Sequence, residues 1–452
     1  MATRPPAPST PSLPDRARDT DDGSRMPPGP RLPPVLQTLQ MARNAARYLQ
    51  RCQQRYGDCF TVHVVGGERL VCVAHPDLVR QVFTGDPDVY HGGEHNAALG
   101  IGTVLGSGSL LVIDGEEHRR QRRLVSPPFR GHAVRRYQDT VAAIVEQEIA
   151  RWPLGKPFAL YPHMQSIALE VILRAVIGES EGDRLTELRR LLPEVAAFDL
   201  LPLQFPALFQ VWPWRRYRRI QERTDELLHE LIADRRKAPD VSERADVLSM
   251  LVGAGGDDRL TDDELRNVLI TFLIGGHETT TTALSWTFER LMRHPEVMAR
   301  LVALVRGDED DEAYVDAVVR ETLRVRPVIS LAGRKLARPV ELGEFRLPAG
   351  VNVLTAIGLV QGSSRWFPDS ETFRPERFLD TKPDPYTWLP FGGGHRGCPG
   401  GTFASYEMKT VLRTVLRRLD VTAPYPRPER PRMRHVTMVP DKGARAVVRA
   451  LA

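Results

Sequence analysis

Apolar residues at helical spacing run without a proline through one long segment in the second half of the chain. Thr261 followed by Glu264 predicts a capping box at its start. The proline-free run extends from Asp262 to His294 and ends before Pro295. A helix of this length would span roughly 45–50 Å at 1.5 Å per residue. The pattern therefore predicts one helix long enough to cross a domain.

The centre of this predicted helix consists of poor helix formers. Residues 275–282 read Gly-Gly-His-Glu-Thr-Thr-Thr-Thr, and glycine and β-branched threonine both weaken a helix. One interpretation is a local opening that leaves backbone groups free for water. The alternative is a close helix crossing in which glycine and threonine fill small gaps.

The rest of the hydrophobic pattern is mostly helical, with short β segments. Helical spacing recurs from Thr402 to Leu419. Small sheets are predicted at Phe60–Val65 with Leu70–Val73, and around Val351–Leu354. We expect about two-thirds of the chain to be helical, so the predicted fold class is mainly α with small β-sheets.

Two segments of extreme composition bear on organisation. Residues 1–30 are proline-rich and polar, so we expect them to be disordered. The most apolar region, Leu191 to Trp214, contains four prolines and cannot form a spanning helix. No apolar run of about 18 residues precedes it, which predicts neither a membrane anchor nor a signal peptide.

Charge and cysteine content exclude some classes of protein. The 452 residues carry a net charge of +5, and seven arginines without an acidic residue lie between His118 and Arg136. Interleaved aromatic residues and a recognition motif are missing there, so we expect no nucleic-acid partner. Four cysteines without a pairing pattern indicate a reducing, cytoplasmic compartment.

One cysteine lies among glycines just before the predicted C-terminal helix. Residues 391–400 read Phe-Gly-Gly-Gly-His-Arg-Gly-Cys-Pro-Gly. Gly394 permits a tight turn, and Pro399 suits a first helical position. The positive end of the helix dipole would then face Cys398, and Arg396 would add a charge nearby. This setting predicts a lowered thiol pKa.

Such a cysteine could be a nucleophile, a zinc ligand, a haem ligand or a buried structural residue. Zinc binding requires a nearby partner such as Cys-x-x-Cys, but the other cysteines are Cys52, Cys59 and Cys72. A nucleophile requires a positioned base, for which His395 is the local candidate.

The same ten residues resemble the haem-ligand loop of the cytochromes P-450, Phe-x-x-Gly-x-Arg-x-Cys-x-Gly. The five defining positions are occupied here by Phe391, Gly394, Arg396, Cys398 and Gly400. The resemblance implies that Cys398 binds the iron of haem b. It covers the chain from about residue 27 onward, which implies a single catalytic domain over residues 31–452.

The centre of the long helix resembles the family's oxygen-activating motif, Ala/Gly-Gly-x-Asp/Glu-Thr-Thr. By this resemblance, Glu278 and Thr279 are the acid–alcohol pair that delivers protons. Gly275 and Gly276 would let the helix approach the haem. The implied cytochrome P-450 fold places the haem between this long central helix and the cysteine-loop helix.

Two further segments resemble parts of the family's framework. Glu321, Arg324 and Arg377 match a buried ion-pair network that serves folding and haem retention. A second match concerns the residues that bind the haem propionates with guanidinium and imidazole groups. These are His118 and Arg122, completed by Arg396 and Arg334.

Substrate specificity does not follow from these motifs. The segments that shape the pocket in this family are largely apolar here, although each residue could equally belong to the ordinary core. The candidate pocket residues are Leu99, Ile101, Phe198, Phe205, Val328 and Ile329. We expect a lipophilic substrate of secondary metabolism, such as a terpenoid, a fatty acid or a polyketide-like molecule.

The resemblance implies a monomeric monooxygenase that inserts one oxygen atom from O₂ into this substrate. No reductase is recognisable in the chain, so electrons are expected from a separate ferredoxin and ferredoxin reductase. We expect the ferredoxin to dock on the basic helix, at Arg119, Arg120 and Arg123. The alternatives are an H₂O₂-dependent peroxygenase and a non-catalytic haem sensor. The intact Glu278–Thr279 pair argues against both.

Overall fold

The computed structural model describes residues 18–19, 23–129, 132–178, 181–197, 214–254, 259–307 and 311–451. Helices make up 55% of the residues that the structure describes, fewer than predicted. The main reason is the segment 362–400, rich in proline and glycine, which consists almost entirely of turns. The described helices are α1 (Pro34–Tyr56), α2 (Pro76–Thr84), α3 (Gly92–Ala98), α4 (Ile101–Leu105), α5 (Gly115–Val125), α6 (His132–Arg135), α7 (Gln138–Ile149), α8 (Tyr161–Ile177), α9 (Asp183–Ala196), α10 (Trp214–Lys237), α11 (Val247–Gly253), α12 (Asp262–Arg293), α13 (Pro295–Arg306), α14 (Glu312–Val325), α15 (Ile357–Gln361), α16 (Arg377–Asp380) and α17 (Gly401–Arg418).

Four small sheets accompany the helices in the described part of the chain. Their strands are β1 (Arg18–Asp19), β2 (Arg25–Met26), β3 (Cys59–His63), β4 (Arg69–Val73), β5 (Tyr90–His91), β6 (Phe158–Ala159), β7 (Ala332–Leu336), β8 (Val340–Leu342), β9 (Phe345–Leu347), β10 (Asn352–Thr355), β11 (Leu419–Thr422), β12 (Pro431–Arg434), β13 (Thr437–Pro440) and β14 (Arg445–Ala450). The largest sheet has the order β3-β4-β10-β7-β5, and the others are β1-β2-β9-β8, β11-β14-β6 and β12-β13. The three predicted strand regions are confirmed as β3, β4 and β10.

The predicted long helix is confirmed as α12. Thr261 caps it through the expected reciprocal pair: the Glu264 N–H donates to Thr261 Oγ1 at 3.2 Å, and the Thr261 N–H donates to Glu264 Oε2 at 2.8 Å. The helix ends at Arg293, and Pro295 begins the next one. Nearly all of its length is buried, and it packs along α8. α12 is therefore the core helix of the fold.

The middle of α12 stays helical, so the predicted local opening is not observed. Threonine hydroxyls bond to carbonyls one turn earlier, as Thr281 does to His277 O at 2.6 Å. Gly276 permits a close helix crossing, because a Cβ there would lie 2.8 Å from Ile172 of α8. The close-crossing interpretation therefore holds for Gly276.

The predicted ion-pair network is confirmed in its geometry. Glu321 and Arg324 on α14 are both fully buried, and Arg324 Nε donates to Glu321 Oε2 at 2.7 Å. Arg377 Nε donates to the other carboxylate oxygen at 3.1 Å. Arg324 also donates to the carbonyls of Gln361 and Ser370. The network therefore fastens the irregular segment 362–400 to α14.

Candidate active site

The cysteine loop closes immediately before α17. The Cys398 N–H donates to Phe391 O at 2.8 Å, which forms the base of the loop. Gly394 adopts a φ of +63°, and a Cβ there would lie 1.7 Å from Phe83 O, so only glycine fits. α17 begins at Gly401, so Pro399 lies two residues before the helix rather than at its first position.

The environment of Cys398 differs from the sequence expectation. Burial raises the pKa of its thiol above the ordinary value, and N–H groups of Gly400 and Gly401 and the charge of Arg122 oppose this only in part. The predicted low pKa is therefore wrong for the free thiol, because loss of solvation outweighs the helix N-terminus. A coordinated metal ion would remove the thiol proton outright.

Part of the Cys398 side chain remains accessible although protein surrounds the residue on most sides. Its open surface therefore faces an internal cleft. The sequence predicted the charge of Arg396 beside the sulfur. Its guanidinium instead pairs with Asp114 and donates to Leu110 O at 3.0 Å. Arg122 takes that place, because it donates to Gly397 O at 2.5 Å.

The predicted propionate-binding residues gather in one cluster. His118 is buried on α5, and its ring centroid lies 6.0 Å from that of His395. Burial, followed by the charge of Arg396, lowers the pKa of His118 to about 3. Burial and then the charge of Arg334 lower the pKa of His395 to about 4. These shifts indicate a dry, strongly cationic site.

Two guanidinium groups in this cluster have unsatisfied donors. The Nε atoms of Arg334 and Arg396 are buried and have no hydrogen-bond partner in the described structure. Burial lowers the pKa of Arg334 to about 10. Buried cationic donors of this kind fit an anionic group with several oxygens. The buried cationic donors therefore fit the two propionate carboxylates of a haem. Arg122 and His118 lie on the same face of α5.

Sequence reasoning missed Asp114 and His395 as members of this site. Asp114 precedes α5 and reads as its cap, but its carboxylate instead accepts the N–H groups of Gly93 and Glu94 at 3.0 and 2.7 Å. It thereby anchors α3 against the cluster while it pairs with Arg396. No local signal could have shown this contact, since 20 residues or more separate its partners.

One accessible position in the middle of α12 lies at the predicted oxygen-activating motif. Gly275 is exposed and has no atom within 4 Å of its would-be Cβ, although Ile274 and His277 beside it are buried. Thr279 lies one turn later, and its hydroxyl donates to Gly275 O at 2.6 Å. The central part of α12 is therefore accessible at Gly275 and partly at Thr279, between buried neighbours.

Glu278 lies beside Thr279 but has different surroundings. It is buried, and the hydroxyl of Tyr161 donates to its Oε1 at 2.7 Å. Gln165 Nε2 donates to Oε2 at 3.5 Å. Burial and the Glu278 charge raise the pKa of Tyr161, which keeps its hydroxyl protonated as a donor. Sequence reasoning missed Tyr161, which is over 100 residues away in the chain.

A cluster of aromatic rings connects α12 with α17. Phe129 lies 4.8 Å from Phe272 of α12 and 6.0 Å from Phe403 of α17, measured between ring centroids. Phe391 packs beneath the start of α17, because a Cβ on Gly401 would lie 2.9 Å from its ring. α12 and the cysteine-loop helix are therefore held across a shared core.

The predicted pocket residues are only partly brought together. Ile101, Val328 and Ile329 belong to the hydrophobic cluster that contains Phe272. Leu99 is half-buried at the end of α3 and is not part of that cluster. The other two candidates, Phe198 and Phe205, lie outside the described residues. Two surface clefts, of about 350 and 320 Å³, contain none of the predicted site residues.

The predicted ferredoxin-docking arginines are not a free basic face. Arg119 pairs with Glu116 at 3.0 Å and with Asp88 at 3.3 Å. Arg120 pairs with Glu264, the residue that completes the capping box of α12. Arg123 lies 3.9 Å from Glu116. The cluster is therefore partly neutralised by Glu116 of the same helix and by Asp88 and Glu264, and ferredoxin docking on it stays a prediction. Arg135 at the end of α6 and Arg136 directly after it are exposed.

Comparison with known proteins defines the class. Residues 26–446 match the family Cytochrome P450, and the chain belongs to this family. Its members are haem-thiolate monooxygenases, so the protein is an oxidoreductase of that class that uses haem iron, O₂ and a redox partner. The described helices include none long and apolar enough to cross a membrane.

Individual relatives share most of the chain. "Putative cytochrome P450 135B1" of Mycobacterium tuberculosis (strain ATCC 25618 / H37Rv) is 48% identical over 94% of this chain and 92% of its own length. "Putative cytochrome P450 138" of the same strain is 38% identical over 94% and 96%. The solved structure "Retinoic acid bound cyanobacterial CYP120A1" superposes with a TM-score of 0.82 at 24% identity, over 95% of this chain and 100% of that one. This likeness establishes the fold.

Proposed function

We propose that this protein holds haem b and inserts one oxygen atom from O₂ into a lipophilic small molecule. The observation that carries the proposal is an accessible sulfur, Cys398, beside a cationic cluster with unsatisfied buried donors. Thiolate-bound haem iron supplies the oxygen activation, which no amino-acid side chain provides. The catalytic unit comprises residues 31–452.

The chain's own residues divide the remaining work. His118, Arg122, Arg334 and Arg396 would hold the propionates, and Phe391 supports the loop that carries the Cys398 ligand. Gly275 leaves room on α12 for the cofactor and O₂. In the proposed role, the Thr279 hydroxyl leaves the Gly275 carbonyl and donates a proton into the cleft. Glu278 supplies protons to this site.

The substrate and the electron source follow from the surroundings. Ile101, Val328 and Ile329 belong to one hydrophobic cluster. With the half-buried Leu99 they would give the pocket an apolar wall, which favours a terpenoid, a fatty acid or a polyketide-like molecule. Electrons come from a separate ferredoxin and its reductase. We infer a cytoplasmic monomer that acts in secondary metabolism.

The test is the absorption spectrum of the reduced protein with CO. Wild-type protein is expected to give a band near 450 nm, the signature of thiolate ligation that the family resemblance implies. Cys398→Ser should abolish this band, whereas Cys52→Ala, a buried cysteine on α1, should retain it. A wild-type band in Cys398→Ser would overturn the assignment.

Turnover assays separate this function from the two alternatives. Product should form with O₂, NADPH, ferredoxin and reductase, and substrate binding should shift the Soret band. Efficient turnover with H₂O₂ but none with the electron-transfer proteins would indicate a peroxygenase. A thiolate band without turnover under either condition, across a panel of lipophilic compounds, would indicate a haem sensor.

A further inference from the structure

The start of α1 has an inverted arrangement of apolar and polar residues. Gln37 is fully buried, and it donates to Leu32 O at 2.7 Å and accepts from the His63 N–H at 3.0 Å. The neighbouring large apolar side chains point outward: Val35, Leu36 and Leu39 are 56, 46 and 59% exposed. A helix on the surface of a water-soluble protein normally has the opposite pattern.

These residues are part of a larger exposed apolar patch. Leu32 is 41% exposed, and Val65, in the turn between β3 and β4, is 58% exposed. The Val65 N–H donates to Thr38 Oγ1 at 3.0 Å, which holds this turn against α1. Five of the twelve exposed large apolar residues in the described structure thus lie in one place. We call Leu32, Val35, Leu36, Leu39 and Val65 the apolar face.

Unneutralised positive charge borders this face. Residues 31–57 contain five arginines and no acidic residue. Arg43 lies four residues after Leu39 and eight after Val35, on the same side of the helix. Arg43 and Arg47 are exposed and form no ion pair with any part of the chain that the structure describes. The same holds for Arg51 and Arg55 further along the helix.

The backbone sets this segment apart from the rest of α1. Asn44 leaves the helical conformation, with φ −164° and ψ 84°, so the helix has a kink there. The Asn44 side chain accepts the Arg47 N–H at 3.0 Å and restarts the helix. The segment Pro34–Arg43 is therefore a separate amphipathic unit, and its buried Gln37 fixes which side faces outward.

We propose that the apolar face, with Arg43 and Arg47, rests on the surface of an anionic lipid bilayer. Aliphatic side chains beside arginines suit hydrocarbon beneath phosphate headgroups, and arginine extends its charge toward the headgroups while its stem stays apolar. A protein partner would require matched shape and hydrogen bonding, and its contact surfaces favour aromatic residues, which the apolar face lacks. Residues 31–57 carry five arginines and no acidic residue, which favours an anionic surface, and Glu68 in the Val65 turn is the exposed acid nearby in sequence.

Co-sedimentation of the purified full-length holoprotein with vesicles tests this proposal. We expect the protein to pellet with vesicles of phosphatidylcholine and phosphatidylglycerol, to pellet much less with phosphatidylcholine alone, and to be released as salt rises. The triple variant Val35→Ser/Leu36→Ser/Leu39→Ser and the double variant Arg43→Gln/Arg47→Gln should each bind at least about tenfold more weakly.

Matched controls alter the same residue types elsewhere. Leu154→Ser/Met433→Ser removes two equally exposed apolar side chains. Arg215→Gln/Arg219→Gln removes two exposed charges on α10. Both controls should bind vesicles as the wild type does. Unchanged thermal melting and haem absorbance show that all the variants fold.

Several outcomes would overturn the proposal. These are no pelleting of the wild type, equal pelleting with neutral and anionic vesicles, and binding as strong as that of the wild type by either the apolar or the arginine variant. Self-association of the wild type in light scattering, lost in the triple variant and without vesicle binding, would assign the face to a second copy of this chain. None of these results depends on turnover, so they are distinct from a failure of the proposed function.

Discussion

At the scale of single residues, Thr279 and Glu278 are neighbours in sequence with different tasks. Thr279 lies on the open face of α12, and its hydroxyl is held only by the Gly275 carbonyl one turn earlier. Glu278 is buried and is oriented by Tyr161 and Gln165 of α8. The hydroxyl can therefore reorient toward the cleft, whereas hydrogen bonds hold the carboxylate in place. In the proposed mechanism this carboxylate supplies the protons.

Thr279→Ala should keep haem and substrate binding but misdirect electrons. Removal of the hydroxyl interrupts proton delivery, so product per NADPH should fall by about tenfold or more, and hydrogen peroxide should rise in its place. The measurement is the ratio of product and peroxide to NADPH consumed. Thr281→Ala is the control, because that buried hydroxyl bonds to His277 O in the same way but does not face the cleft. Equal coupling in the two variants would show that Thr279 only packs.

At the scale of elements, the ion pairs of α14 differ sharply in their surroundings. Glu321 and Arg324 are fully buried, and the carboxylate also accepts the Arg374 N–H at 2.9 Å. Asp316 and Arg320 on the same helix form a half-exposed pair. Loss of one partner from a buried pair leaves an uncompensated charge, whereas a solvated pair contributes little.

Glu321→Ala should destabilise the protein by about 3–5 kcal/mol, because Arg324 and Arg377 would lose their shared carboxylate. Asp316→Ala should cost less than about 1 kcal/mol. Urea unfolding followed by circular dichroism measures both variants, and haem absorbance reports cofactor loss. Similar midpoints for the two variants would mean that this network does not anchor the segment 362–400.

At the scale of the whole molecule, docking of an acidic electron donor depends on where exposed arginines lack an acidic partner. Arg119, Arg120 and Arg123 of α5 are paired with acids. Arg135 at the end of α6 and Arg136 after it are exposed. Arg135 lies close enough to Tyr406 of α17 and to Glu312 for its charge to favour the ionised form of each. α6 packs on α17, the helix that follows the cysteine loop. We therefore propose this face as a second candidate docking site for an acidic ferredoxin.

Arg135→Gln/Arg136→Gln should therefore lower the rate of reduction by ferredoxin to about one-tenth at low salt. Substrate affinity should not change. The wild-type rate should also fall as salt rises, since charges more than about 10 Å apart are screened at 0.1 M. Stopped-flow reduction measures both effects, with Arg215→Gln/Arg219→Gln on α10 as the control. Equal rates in the two variants and no salt dependence would place docking elsewhere.

Helix ends and strands were predictable from the sequence alone. Capping by Thr261 and Glu264, the end of α12 before Pro295 and the strands β3, β4 and β10 depend on interactions between near neighbours. The family motif identified Cys398 and the Glu321–Arg324–Arg377 network, because each of these requires particular residues at particular positions.

The charge environment of the site residues and their contacts with distant segments depend on the tertiary structure. Burial outweighs the helix N-terminus at Cys398, Asp114 caps a helix other than its own, and Tyr161 orients Glu278. Arg119 and Arg120 of α5 pair with Asp88 and Glu264, which lie far from them in sequence. Solvation and pairing of a charge depend on which distant segments pack around it, and local sequence does not encode that arrangement.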